Sequence, residues 1–400
     1  MKRFYKLISV ILVFALFLTG CTSETAGTGK NDKEIVIWSH LTDPEITELR
    51  TLADQWSKTS GYKVKIHSDK GDNRAYIEAS LRNMEPDIEF GVSHDRMEKL
   101  NSEKLLAEVP DNLIDRNKYV SSSLETVTFG NKMYGIPISI ETYGLYYNKD
   151  KVKKLPKTLE ELISMGEKQG FQYDINNFYL SFPILQANGA YIFKKKNGDY
   201  NVKDIGLNNE AAIRGYTMVQ DMVQKYKLMP ENIDSITARN NFKNGKTSFY
   251  VSGSWDLEEL NTSGLNYSVV PFPKYNGRQM TSFVTAQVAY VSPRSEYKKA
   301  DWSLIKYLID NSSKPLFKIT GRIPPFKTDY NIKEVKNDAK ARTFVKQSEY
   351  GEILPNVTET QALQNTNKIM QNLTSGKITP KECGHQIEKD ILDFIAKEKQ

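Results

Sequence analysis

The sequence has little of what disulfide-bonded or metal-dependent proteins need. It contains two cysteines and four histidines in 400 residues. Cys21 and Cys383 lie far apart, and the histidines form no HExxH or other metal-ligand spacing. No G-x-S-x-G nucleophile elbow is present, and the Gly-Lys-Thr sequence at Gly245 lacks the earlier glycine of a phosphate loop. The sequence therefore predicts no cofactor, no metal site and no catalytic residue.

Long hydrophobic runs are also scarce, and the exception stands at the start of the chain. A basic segment, Met1–Lys6, precedes the apolar run Leu7–Leu18. About 12 apolar residues are too few to span a bilayer, but they fit the hydrophobic region of a secretory signal. The following "LTGC" resembles the lipobox of bacterial lipoproteins. We therefore predict a signal peptide over residues 1–20 and acylation of Cys21, with an uncleaved anchor as the alternative.

The segment after this cysteine is polar and without periodicity. Residues 21–33 are predicted to form the lipidated cysteine and a flexible tether, which places the folded body outside the cytoplasmic membrane, anchored at the cell surface by lipid alone. The net charge of +6 includes the basic residues of the leader, so the mature chain is only weakly basic. Nothing in it suggests a nucleic-acid partner.

Short β-branched runs alternate with helical periods from Glu34 onward. "EIVIW" predicts a strand, and the next segment predicts a helix up to Gly61, with Asp43 as a possible cap and Pro44 at its first position. This alternation indicates an α/β protein with a mainly parallel sheet, in which ligands gather at the carboxyl ends of strands. Alternating strand-like and helical segments recur in the middle of the chain. The length of the chain fits two lobes of roughly 150 to 200 residues. Between them, Gly130–Asp150 lacks a helical period and predicts an extended crossing.

A few side chains are suited to binding a sugar. Sugar rings offer apolar faces and a rim of hydroxyls, so their sites need flat aromatic surfaces and polar groups that orient the hydroxyls. Asp95 and Arg96 are adjacent and can accept from one hydroxyl and donate to another, although a surface ion pair is the alternative. Trp255 follows a predicted strand and Gly253, which favours a position facing the cleft over a purely packing role. Tyr179 is ambiguous on pattern alone.

Several short motifs occur in the order and spacing of a known family. They include "VIW" at Val36, "SHDR" at Ser93, "YGIP" at Tyr134, "NNFKNGKTSFYVSGSW" at Asn240 and "GEILPN" at Gly351. On these motifs the whole mature chain resembles the extracellular solute-binding proteins of carbohydrate ABC importers, most closely the maltose/maltodextrin-binding members. The resemblance implies a two-lobed periplasmic-binding-protein-like fold with three crossings between the lobes, and a sugar held in the cleft.

The resemblance also implies lobe boundaries and site residues. The first lobe would comprise residues 34–139 plus 289–336, and the second 143–283 plus 341–400. Hydroxyl-binding or stacking roles would fall on six residues: Asp43, Asp95, Arg96, Glu141, Tyr179 and Trp255. The chain departs from a maltodextrin site of the family at four positions, two of which would be aromatic, one acidic and one an arginine: Ser93, Leu363, Asn177 and Asn367, respectively. The loss of two aromatic surfaces makes a differently shaped sugar a second possibility.

These implications lead to one predicted function and two alternatives. We expect the substrate-binding subunit of an ABC importer, a monomer without enzymatic activity that captures an oligosaccharide, with maltodextrin-like glucans favoured. Its partners would be the permease subunits and their cytoplasmic ATPase. A secreted carbohydrate-active enzyme and a sensory binding protein are the alternatives.

Overall fold

The computed structural model describes residues 33–69, 71, 73–196 and 199–397. The predicted signal peptide, the acylation of Cys21 and nearly all of the tether lie outside these residues. Within the described part of the chain, we find no helix with the length and apolar character needed to cross a membrane.

Strands and helices alternate along most of the described chain. The strands are β1 (Glu34–Ser39), β2 (Lys63–Ser68), β3 (Ile88–Ser93), β4 (Thr128–Phe129), β5 (Lys132–Met133), β6 (Ile136–Glu141), β7 (Tyr143–Asn148), β8 (Phe171–Gln172), β9 (Tyr191–Lys196), β10 (Asp199–Gly206), β11 (Phe249–Gly253), β12 (Tyr267–Val270), β13 (Lys274–Tyr275), β14 (Arg278–Gln279), β15 (Phe283–Val291) and β16 (Glu352–Ile353). The helices are α1 (Asp43–Ser60), α2 (Asn73–Leu81), α3 (Met97–Ser102), α4 (Ser121–Glu125), α5 (Leu159–Gln169), α6 (Phe178–Ala187), α7 (Glu210–Gln224), α8 (Ser235–Lys243), α9 (Leu257–Asn261), α10 (Lys298–Thr320), α11 (Lys333–Asn337), α12 (Ala339–Tyr350), α13 (Thr366–Thr374) and α14 (Pro380–Lys397).

The first sheet has the order β16-β15-β3-β1-β2, and β6 also pairs with β15. Strand β1 runs parallel to β2 and β3, as the βαβ pattern predicts. Strand β15 runs antiparallel to β3 and β6, because it returns from the other half of the chain. The carboxyl ends of β1, β2 and β3 therefore meet at one edge of this sheet.

The second sheet has the order β12-β7-β11-β8 and is mostly antiparallel. Strand β7 pairs antiparallel with both β11 and β12, and the parallel contact is between β11 and the two-residue strand β8. Strand β7 is antiparallel to its neighbours, unlike β1 in the first sheet. It enters directly from β6, through Thr142 alone, and not by a helical crossover.

The buried apolar side chains form two cores. The first core combines residues within 35–138 and 286–316 with Phe326. The second core combines residues within 140–284 with others from Phe317 to Ile395. The fold is thus two-lobed, and the chain passes between the cores along the paired strands β6 and β15 and again after α10. Thr142 joins the two strand crossings, since its hydroxyl contacts the Ser282 hydroxyl at 2.6 Å and donates to the Phe283 carbonyl at 3.0 Å.

Helix α1 begins differently from the sequence prediction. Thr42 is its N-cap, and the Thr42 N–H donates to the Glu45 carboxylate at 2.9 Å. Asp43 is therefore the first helical residue and not the cap, with Pro44 second. Thr42 wins this position because Glu45, three residues later, completes a capping box with it. Asp43 still stabilises the helix N-terminus by its charge.

Candidate ligand-binding cleft

A cleft of about 510 Å³ opens between the two lobes. One wall comes from the first lobe, from the start of α2, the turn before α3 and α3 itself, and carries Asn73, Arg74, Asp95, Arg96 and Lys99. The facing wall comes from the start of α6 and the segment 354–367, and it includes Tyr179 and Leu363. Charged and amide side chains on one wall therefore face a wall on which aromatic and aliphatic side chains are mixed with amides and a threonine.

Asp95 and Arg96 lie in a 3-10 turn, His94–Arg96, at the carboxyl end of β3. The turn is fixed by contacts with the loop before α2. An Arg96 Nη1–H donates to the Gly71 carbonyl at 2.8 Å, and the Asn73 amide donates to the Arg96 carbonyl at 2.8 Å. Asp95 is exposed. Both predicted residues therefore lie at the cleft, and hydrogen bonds to Gly71 and Asn73 fix the position of the arginine.

His94 is fully buried directly behind this turn. Its Nδ1 accepts from the Ala286 N–H at 3.3 Å, and its Nε2 lies 3.4 Å from the Leu354 carbonyl oxygen. Burial lowers the pKa of His94, so the ring is neutral and donates through Nε2. It links the turn to β15 and to the segment after β16, which belong to different parts of the chain.

Tyr179 lies in the first turn of α6, where the Asn177 side chain caps the helix by accepting the Tyr179 N–H at 3.0 Å. Its ring stacks on Phe283, with centroids 5.4 Å apart, and lies 6.4 Å from the ring of Trp255. Burial raises the pKa of Tyr179, so the hydroxyl is neutral. These contacts fix an aromatic surface on the second wall.

Trp255 is 47% exposed although it belongs to a well-anchored 3-10 turn, Ser254–Asp256. The next residue, Asp256, is buried and accepts from the hydroxyls of Tyr250 at 2.6 Å and Ser252 at 2.7 Å and from Arg239 at 3.0 Å. The indole lies across Gly253, where an added Cβ would be 2.1 Å from a ring carbon. The Asp256 anchor therefore presents a large aromatic side chain to solvent beside Tyr179.

Three predicted residues lie outside the cleft lining: Trp255, Asp43 and Glu141. Asp43 is exposed at the start of α1. Glu141 ends β6, and its Oε1 is 3.1 Å from the Arg322 Nη1. Arg322 also pairs with the buried Glu45, from Nε to Oε1 at 2.5 Å and from Nη2 to Oε2 at 3.1 Å. Arg322 thus joins α1 to the strand that crosses between the lobes.

Arg322 lowers the pKa of the Glu45 carboxyl group. Burial alone would raise the pKa of Glu45, but the hydrogen bonds and charge of Arg322, with further bonds from Thr320 and Thr42, hold it below its usual range. Sequence reasoning missed Arg322, Asp256 and this role of Glu45. Glu45 carried a signal, since it is an acidic residue in the first turn of α1, but no local pattern shows which arginine it meets.

Three of the four positions that depart from a maltodextrin site line the cleft: Asn177, Leu363 and Asn367. Asn367 accepts the Phe178 N–H at 3.0 Å, so both asparagines hold the first turn of α6. Ser93 ends β3 and does not line the cleft. The aromatic lining of the second wall therefore comes from Phe178, Tyr179 and Phe283, and the position of Leu363 adds no further ring.

Comparison with known proteins places these features in context. A family model described as bacterial extracellular solute-binding protein matches residues 51–343. The chain is 31% identical over 392 residues to the galactooligosaccharide-binding protein of Bacillus subtilis strain 168, covering 92% of both chains. It is 27% identical to a maltooligosaccharide ABC transporter solute-binding lipoprotein of Streptococcus pneumoniae R6, covering 91% of this chain and 90% of the relative.

Solved structures show the same similarity. The maltose-maltodextrin binding protein of Alicyclobacillus acidocaldarius superposes with a TM-score of 0.84 at 30% identity, over 90% of this chain and 100% of that one. A cyclo/maltodextrin-binding protein complexed with maltotetraose gives a TM-score of 0.83 at 26% identity, over 92% and 98% of the two chains.

Proposed function

Because the chain belongs to the family of bacterial extracellular solute-binding proteins, we propose that it is the substrate-binding subunit of an ABC importer and captures an oligosaccharide between its two lobes. The observation that carries this proposal is the cleft itself, where Asp95 and Arg96 face the aromatic wall of Tyr179. A sugar bridging these walls binds the closed arrangement better than an open one, so it shifts the protein toward closure. Closure is then the signal that the permease reads.

Maltodextrin-like glucans are the leading ligand, since relatives and solved neighbours are named for maltooligosaccharides. A differently shaped oligosaccharide is the second candidate. It is favoured by Leu363, which supplies no flat ring, and by the galactooligosaccharide named for another relative. Fewer stacking surfaces leave more of the binding energy to hydrogen bonds with hydroxyls.

The six residues retain the roles that the resemblance implies. Asp95 and Arg96 bind hydroxyls on the first wall, and Tyr179 and Trp255 stack on the sugar from the second. Glu141 has one carboxylate oxygen on Arg322 and offers the other to a hydroxyl. Asp43 extends the hydroxyl-binding set at the start of α1.

The lobes are assigned as residues 34–139 plus 289–336, and 143–283 plus 341–400. The division of the two cores supports most of this assignment. Phe317, Ile323 and Val335 pack on the second core, so the last part of the first lobe contacts both. The protein works as a monomer, bound to the membrane only through lipid on Cys21, and it delivers sugar to permease subunits driven by their ATPase without altering the sugar.

A thermal-shift titration tests the function. The protein lacking residues 1–21 is titrated with linear maltodextrins, cyclodextrins and galactooligosaccharides. A ligand of the folded state raises stability by RT ln(1 + [L]/Kd), so the true ligand raises the melting temperature in a saturable way. Trp255→Ala should weaken that ligand's binding about tenfold through the lost stacking.

The control is Tyr350→Ala, an exposed aromatic outside the cleft, which should bind as the wild type does. The absence of a shift with every sugar would contradict the proposed function. Incubation with each oligosaccharide serves as a second arm, because shortened products would indicate an enzyme.

A further inference from the structure

Three potential metal ligands meet where β1 and β2 end, beside the start of β3. His40 follows β1, Asp69 follows β2, and Glu89 is the second residue of β3. The His40 Nε2 lies 2.6 Å from the Glu89 Oε2 and 3.7 Å from the Asp69 Oδ2. One nitrogen or oxygen atom from each residue lies within 4.8 Å of the others.

The backbone holds these side chains in place. The His40 N–H donates to the Phe90 carbonyl at 2.9 Å, and the Asp69 N–H donates to the Ser39 carbonyl at 2.9 Å, so both residues continue the sheet's hydrogen bonding. The Asp69 Oδ1 accepts the Gly71 N–H at 3.0 Å, which turns its Oδ2 toward His40. Ligands fixed in this way lose little freedom when an ion binds.

Glu89 is an unusual residue for its position. Its side chain is 2% exposed, in a strand whose neighbours Ile88 and Phe90 are fully buried. The tyrosine paired with it across the sheet is Tyr290, also buried. The Glu89 carboxylate is therefore buried among apolar and aromatic side chains, with the His40 ring against it at 2.6 Å. Such a carboxylate is costly to bury unless a cation compensates for its charge.

We propose that His40, Asp69 and Glu89 form a binding site for one divalent transition-metal ion, with Zn²⁺ the best fit. An imidazole nitrogen with two carboxylate oxygens suits Zn²⁺, whereas Ca²⁺ and Mg²⁺ prefer oxygen ligands alone. Metal–ligand bonds of ~2.1 Å at tetrahedral angles separate the ligand atoms by ~3.4 Å. The His40–Asp69 distance of 3.7 Å is near this value, and the His40–Glu89 pair at 2.6 Å must widen by less than about 1 Å. Asp69 is 27% exposed, so ions and a water ligand reach the site from its side.

The site has a structural connection to the cleft. Asp69 binds the Gly71 N–H, the Gly71 carbonyl accepts from Arg96, and Asn73 donates to the Arg96 carbonyl. An ion on Asp69 would therefore act on the hydrogen bonds that position Arg96. Sequence spacing did not show the site because the ligands come from three strands, with His40 and Glu89 49 positions apart.

Metal titration of the untagged protein tests the proposal without any sugar, so its outcome is independent of the proposed function. The chelator-treated chain is titrated with Zn²⁺, and with Ca²⁺ as comparison, by calorimetry and thermal shift. We expect one saturable Zn²⁺ per chain, a raised melting temperature and no effect of Ca²⁺. Glu89→Gln and Asp69→Asn should each weaken Zn²⁺ binding tenfold or more.

His67→Asn is the matched control, since His67 is an exposed histidine on β2 and should leave binding unchanged. Three results would overturn the proposal: no saturable Zn²⁺ binding, equal Zn²⁺ binding by wild type and Asp69→Asn, or loss of Zn²⁺ binding in His67→Asn. The last result would mean an adventitious ion only, bound at the surface. If circular dichroism shows that Glu89→Gln does not fold, Asp69→Asn decides alone, because this residue is partly exposed.

Discussion

Two glutamates that are largely buried show how much a single partner matters. Glu45 is fully buried but has Arg322 against its carboxylate, and its pKa falls below the usual range. Among the described residues, no salt bridge to Glu352 on β16 is found, and burial raises its pKa to about 7, partly opposed by the charge of Lys195. The first carboxylate stabilises the native state when ionised, and the second destabilises it.

The Glu352 carboxyl predicts a pH dependence of stability. Its pKa is about 7 in the folded protein and ~4.3 in an unfolded chain, so both states hold the proton below pH 4. As the pH rises from about 4 to about 7, the unfolded state loses its proton first, and the free energy of unfolding falls. Glu352→Gln should therefore be more stable than wild type at pH 8 by about 1 to 2 kcal/mol, since partial exposure reduces the effect.

Urea unfolding at pH 4 and pH 8 measures this difference, which should vanish at the lower pH. Glu349→Gln, at an exposed position nearby, is the control and should show no such dependence. An equal gain for Glu352→Gln at both pH values would mean that the charge of Glu352 is not the cause.

At the scale of elements, local sequence patterns predicted the positions of individual helices and strands such as α1 and β1. The sequence predicts that helix α1 starts at Pro44, with Asp43 as a possible cap, and stops at Gly61; the helix runs from Asp43 to Ser60, and "EIVIW" forms β1. The direction of the second sheet was not predictable, because β7 takes its direction from the crossing at Thr142 and not from a pattern of its own. Arg322 and Asp256 were missed for the same reason, since their partners come from other elements or are fixed only by tertiary packing.

The strand-to-turn element that carries Trp255 predicts a strong effect of a small substitution. In Gly253→Ala the new Cβ would lie 2.1 Å from the indole, so the ring must leave its position. We expect sugar affinity to fall about tenfold, as for loss of the ring, and the tryptophan fluorescence to change. Ser254→Ala, one residue further, meets no such overlap and serves as the control. Unchanged affinity in Gly253→Ala would show that the ring's position does not matter for binding.

At the scale of the whole molecule, contacts beyond the crossings join the lobes. The Thr358 hydroxyl donates to the Glu98 carboxylate of α3, and the Asn356 amide donates to the Thr126 carbonyl at 2.8 Å. Both donors belong to the segment 354–367 of the second wall and stand a few residues before Leu363. These bonds hold the lobes close together next to the cleft.

Removal of one such bond should weaken sugar binding without harming either core. Thr358→Val keeps the shape of the side chain but loses a hydrogen bond to a charged group, typically about 1.5 to 3 kcal/mol. Part of this is recovered by water in the open state, so we expect an affinity loss of about tenfold. Calorimetry with the identified sugar measures it, while unfolding of the ligand-free protein should change little. Thr51→Val, on the exposed face of α1, is the control. Wild-type affinity in Thr358→Val would show that this contact does not favour the closed state.

The order in which the chain builds its two cores also has a consequence for how it is made. The first core needs side chains of β15 and α10 and ends with Phe326, and the second needs α14, up to Ile395. Neither core is complete until most of the polypeptide has been synthesised, and contacts between such distant segments form slowly. We therefore expect a newly made chain to lack both complete cores until late in translation, and an incompletely folded polypeptide is the form that a translocation channel accepts.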